Sequence, residues 1–111
     1  MTNLRQQWLH GFLEMCLLSL LVDGPDYGLG LSERLAASGL GDVPGGTLYP
    51  SLLRLEKQGL VSVSWQHSTT GPRRKYYELT EQGRRAVREL ADSWAHFRSS
   101  VDTLTMGVRN D

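Results

Sequence analysis

Val87, Leu90, Trp94, Phe97, Val101 and Leu104 follow one another at steps of three, four, three, four and three residues. That is the seam of a coiled-coil helix, sustained for nearly three heptads. It constrains the fold more than any other feature. The chain has 111 residues, which is one ordinary domain with a modest core. No apolar segment remains nearby in sequence to cover a stripe some 25 residues long. Two outcomes are open: the helix folds back over its own domain, or a second chain covers it. The second is expected, with the helix at 81–106 and a frayed tail at 107–111.

The segment at about 4–22 is the other apolar excess. Leu9, Phe12, Leu13, Cys16, Leu17, Leu20 and Leu21 form one helical stripe, and Leu4, Trp8, Met15, Leu18 and Val22 lie off it. A small-domain helix with two apolar faces has more than one surface to bury. Trp8 therefore joins Val87, Leu90, Trp94, Phe97, Val101 and Leu104 as expected dimer interface. His10, Gly11, Glu14 and Ser19 interrupt the run, which is too short to span a bilayer. No signal-peptide layout precedes it. Cys16 is the lone cysteine, so no intrachain disulfide can form. It reads as a small buried hydrophobe in a protein of a reducing cytoplasm.

Between these helices the periodicity changes twice. Asp23-Gly24-Pro25 ends the first helix, and Asp26 is expected to cap a second at about 27–38, with Tyr27, Leu31 and Leu35 inward. Gly39 is a natural stop. Thr47 is expected to cap a third helix, with Pro50 in its first turn, Leu48, Leu52 and Leu55 inward, and Tyr49, Ser51, Arg54 and Lys57 outward. Val61, Val63 and Trp65 then alternate with period two, and Lys75-Tyr76-Tyr77-Glu78-Leu79 returns as a second strand. Thr80 caps the last helix. Three helices, a hairpin and a long helix make a mainly α fold: a winged helix-turn-helix over residues 1–80 with a dimerisation helix appended.

Charge gives this layout its chemistry. The chain carries 12 basic and 12 acidic residues, yet 47–88 holds eight basic residues against three acidic ones. Such asymmetry points to one face for an acidic partner. In a helix-turn-helix the second paired helix enters the major groove, which here is the helix at 47–58. Thr47, Tyr49, Ser51, Arg54 and Lys57 are its candidate contacts with double-stranded DNA. Arg73, Arg74 and Lys75, behind the Gly71-Pro72 turn, are expected to project from the hairpin tip toward phosphates or the minor groove. Two such domains on one dimer imply a roughly palindromic operator.

"GTLYPSLLRLEKQGLV" followed by "GPRRKYYELTEQGR", with "LHGFLEMCLLSLL" and "YGLGLSERL" before them, resembles the PadR family of bacterial transcriptional regulators over about residues 8–104. The single long C-terminal helix is similar to the short subfamily. The resemblance implies a homodimeric repressor relieved by a small phenolic, aromatic or drug-like ligand. It puts Tyr27 and Gly28 near the DNA backbone. Repression is also what a chain with no extra domain to contact polymerase suggests. Leu53 departs from the pattern, since the family commonly has a basic or polar residue there. Two consequences are open: contact with thymine methyls, or weaker phosphate binding. Trp94 and Phe97 likewise have two readings. Plain dimer packing is the commoner; with Trp8 or Met15 across the interface they could instead hold a flat ligand.

Other classes fare worse. No Gly-rich phosphate loop and no Ser/His/Asp layout is present, and His10, His67 and His96 lack metal-ligand spacing, so neither enzyme, cofactor nor metal is expected. A winged-helix module that binds another protein instead of DNA is the alternative. Three adjacent cations at the wing tip argue against it.

Overall fold

The computed structural model describes residues 4–67 and 69–109; the side chains of residues 4–7 and 10 lie outside the description, among them Leu4 and His10. The order is α1 (Leu4–Leu21), β1 (Asp26–Tyr27), α2 (Gly28–Leu35), a wide turn (Ala36–Leu40), α3 (Gly45–Lys57), β2 (Val61–Gln66), β3 (Arg74–Leu79) and α4 (Glu81–Arg109). This is the mainly helical winged helix-turn-helix expected, with one strand more.

The core lies where α1, α2 and α3 meet the sheet. Leu17, Leu21, Leu31, Leu35, Leu48, Leu52, Leu55, Val61, Tyr77 and Leu79 are buried in it. Leu18, expected on the second face of α1, is buried too. At 18 residues, α1 is contacted by both α2 and α3 and by the sheet, so one apolar stripe is not enough to serve them. Gly39 closes the turn after α2 with φ +90°, a left-handed conformation that side chains resist.

The sheet runs β1-β3-β2, antiparallel throughout. Val61 pairs with Leu79 and Gln66 with Arg74 along the hairpin, while Asp26 and Tyr27 pair with Tyr77 and Tyr76. The two-residue β1 has no periodicity to read, which is why the sequence suggests only a hairpin. It also corrects the expected start of α2. Asp26 does not cap the helix; its Oδ1 accepts from the adjacent Tyr27 N–H at 2.8 Å, and its Oδ2 pairs with Arg34 at 3.2 Å.

α3 starts two residues earlier than expected. The Pro44 carbonyl accepts from the N–H groups of both Thr47 and Leu48, each at 2.9 Å, so the first turn closes on Pro44 and Thr47 lies inside the helix. Pro50 is consequently an interior residue. Thr80 behaves as expected at α4: its Oγ1 accepts from the Gly83 N–H at 3.0 Å and donates to the Gly59 carbonyl at 2.6 Å. That one hydroxyl ties α4 to the end of α3. The tail expectation needs correcting, because α4 continues through Gly107 to Arg109; residues 110–111 lie outside the description. A single helical glycine costs only about 1 kcal/mol, too little to stop an established helix.

Candidate nucleic-acid interface

α3 and the β2–β3 wing form the two walls of an open groove of ≈ 630 Å3, floored by the start of α2. Tyr49, Pro50 and Leu53 come from α3, Gly28 and Leu29 from α2, and Trp65, Arg74, Lys75 and Tyr77 from the wing, with Tyr27 beside them. Most of the residues singled out in the sequence therefore converge on one surface, though several hold different positions than expected.

Tyr49 is exposed and its ring rests on Gly28. A Cβ at position 28 would sit 2.5 Å from Cε1 and 2.7 Å from the hydroxyl of Tyr49, so a side chain there would push the ring off this seat. Gly28 is buried; its part is to seat Tyr49. Tyr27 lies under Arg74, whose guanidinium carbon is 4.6 Å from the ring centroid. Arg73 lies over Trp65 at 5.6 Å. Both arginines are exposed, but they lean on rings rather than project freely. Such stacking holds a guanidinium in place while leaving its N–H donors at the edge for an acceptor.

Lys75 corrects the expectation for the tip. It turns back across the sheet, with Nζ 3.8 Å from Glu56 Oε1 and 5.4 Å from the Tyr77 centroid. It lines the groove beside Arg74, but its ammonium is paired with Glu56 rather than offered at the tip. Burial raises the Tyr77 phenol above its ordinary value, and Lys75 partly offsets this.

Ser51 is also a correction. It is only 2% exposed, and its hydroxyl donates to the Thr47 carbonyl at 3.0 Å and accepts from Arg54 Nη2 at 2.9 Å. The early start of α3 does not change its phase: Ser51 adjoins Leu52 and Leu48 on the buried side, so no free hydroxyl faces outward. Arg54 is half in solvent but held, with Nε 3.6 Å from Glu14 Oε1 on α1. Thr47 is half-buried, and Lys57 is exposed at the far end of α3. The residues sequence reasoning missed are Glu14, the partner of Arg54, and Leu29. Leu29 had a signal, an apolar residue out of phase with Leu31 and Leu35.

Away from the groove residues, the α4 seam meets α1. Phe12 and Trp94 have ring centroids 4.8 Å apart, and Trp94 and Phe97 6.2 Å. Trp94 is half-buried and Val87 buried, whereas Leu90, Phe97, Val101 and Leu104 are exposed, as is Trp8 on α1. Met15 is half-buried. No described helix is long and apolar enough to cross a membrane, and among the described residues no cluster of His, Cys, Asp or Glu is arranged to hold a metal ion.

This geometry has known counterparts. Residues 17–89 match the model of the transcriptional regulator PadR-like family. The chain belongs to that family. It is 40% identical over 73 residues to transcriptional regulator Rv3488 of Mycobacterium tuberculosis, covering 66% of each chain. A PadR-like transcription factor from Bacteroides fragilis is similar over 93% of this chain and 99% of its own, at 39% identity and a TM-score of 0.75. A PadR-like transcriptional regulator from Bacillus cereus gives 37% identity and a TM-score of 0.79, over 88% of this chain and 95% of its own. Membership makes the protein a DNA-binding transcriptional regulator and sets enzymatic function aside.

Proposed function

We propose that the protein is a homodimeric repressor that places two copies of α3 on a roughly palindromic operator and is released by a flat aromatic or drug-like ligand. The observation that carries the reading is the bare seam of α4. The helix has 29 residues, which at 1.5 Å per residue is about 44 Å. Only Gly83 and Val87 of it are buried, while Leu104 is 79% and Phe97 57% exposed. With Trp8 of α1 at 62%, this is an apolar strip far larger than scattered surface leucines. A second copy of the same strip covers it symmetrically. The Phe12–Trp94–Phe97 ring series lies along that strip, and Trp8 and Met15 come from α1 beside it. A planar ligand inserted there would alter the angle between the two α4 helices, and so the spacing of the two α3 helices.

On the DNA side, Arg73 and Arg74 supply phosphate or minor-groove contacts, and Tyr49 faces the base edges. Lys57 reaches backbone. Arg54 joins them only after leaving Glu14.

The test is anisotropy binding to the DNA upstream of the protein's own gene and its neighbours, across a salt series. Specific binding by a dimer, weakened steeply by salt, is expected. Arg73→Ala with Arg74→Ala should flatten the log–log slope by about 1 per lost phosphate contact, hence roughly 2–4 per dimer. Phe97→Glu with Leu104→Glu should give a monomer by light scattering. Salt-insensitive or absent DNA binding refutes the operator reading and favours a protein-binding module.

A further inference from the structure

The wall between α3 and the wing is greasier than phosphate binding requires. Leu53 is 46% exposed on α3, Leu29 is 55% exposed at the start of α2, and both line the groove that holds Arg74. One exposed leucine needs no explanation. Two of them beside exposed Tyr49 and Trp65, in one concave surface, make a patch that marks an interaction site. Its occupant is fixed by charge and by place. Arg74 lines the groove over Tyr27 and Arg73 lies over Trp65 at its rim, so the partner is anionic. α3 is the helix a helix-turn-helix inserts into the major groove.

The polar groups of α3 are meanwhile committed elsewhere. The Ser51 hydroxyl is buried in the helix, and Arg54 is engaged by Ser51 and Glu14. In the middle of α3 this leaves Tyr49 and Leu53 to meet base edges. A leucine against adenine, guanine or cytosine edges would strip water from donors and acceptors without replacing their hydrogen bonds. The thymine 5-methyl is the one apolar group a base presents there.

We infer that Leu53, with Leu29 in the same groove, recognises thymine 5-methyl groups in each operator half-site. The inference rests on the DNA-binding reading above and names the chemistry that Tyr49 and the wing leave unread.

Selection from random duplexes with the full chain yields the preferred operator. Each thymine is then replaced by deoxyuridine, which removes the methyl and nothing else. One such replacement in a single half-site should weaken binding about fourfold, and the matching replacement in both half-sites about sixteenfold, from ~0.8 kcal/mol per buried carbon at 1.4 kcal/mol per decade. Leu53→Ala should bind thymine and uridine operators alike at that position, and Leu53→Met, which keeps an apolar tip, should retain the preference. Thermal melting checks that both variants fold, as a half-exposed side chain allows. An operator with no uridine-sensitive position overturns the inference, as does a preference that survives both Leu53→Ala and Leu29→Ala. Failure to enrich any duplex refutes the DNA-binding reading itself, and the inference with it.

Discussion

Replacing Gly83 by alanine should destabilise the protein, against what helix propensity predicts. Alanine is the better helix former by about 1 kcal/mol, and Gly83 lies within the first turn of α4, so the sequence suggests a gain. The structure reverses the sign. A methyl at position 83 would overlap the Leu60 carbonyl oxygen, with the Leu60 carbonyl carbon at 3.0 Å and Leu79 Cδ2 at 3.2 Å. The neighbour is backbone, which cannot rotate away. Overpacking of this kind costs about 1–3 kcal/mol. The displaced Leu60 carbonyl also accepts from the Thr80 N–H at 3.1 Å, and weakening that bond adds about 1 kcal/mol. Less the propensity gain, the net loss is about 2 kcal/mol. For a domain of this size the melting temperature should fall by roughly 10 °C, read by circular dichroism at fixed protein concentration. Gly83→Ala melting at or above the parent would refute the close packing of α4 on the α3–β2 junction.

Other perturbations separate recognition from stability. Gly28→Ala should leave the melting temperature within a few degrees, because the half-exposed Tyr49 ring can swing off its seat, but should weaken operator binding about fivefold per half-site at ~1 kcal/mol per misplaced contact; anisotropy and melting read the two separately. Glu14→Gln removes the partner 3.6 Å from Arg54 and should tighten binding to non-specific duplex at low salt, with a steeper salt slope from the freed guanidinium. Burial raises the Cys16 thiol above its ordinary value, so at neutral pH a disulfide reagent should label it more slowly than a free thiol. The rate should climb only as pH rises past the ordinary thiol range, because the neutral form is favoured in the fold; fast labelling at neutral pH would contradict that burial.

Periodicity and turn chemistry determine the elements. Three- and four-residue steps give α1, α3 and the α4 seam, alternation gives β2 and β3, and Thr80 caps α4, whereas α2 ends at Leu35 and Gly39 supplies the left-handed residue of the turn that follows it. These signals are local, so one sequence carries them. The family resemblance is equally local, since the Tyr49-Pro50 start and the Lys75-Tyr76-Tyr77 strand lie in short runs. What a side chain does once the elements meet is not local. Ser51 looks like a reader of bases by residue type, and the packing of α3 turns it inward. Arg54 and Lys75 look free by sequence and are engaged by Glu14 and Glu56, 40 and 19 positions away. β1 exists only because Asp26 and Tyr27 reach β3, fifty residues on. Gly28 and Gly83 are ordinary glycines in the sequence; only the close approach of Tyr49 to one and of the Leu60 carbonyl to the other gives each its part. Partners distant in sequence meet through packing, and that is the information one-dimensional spacing cannot hold.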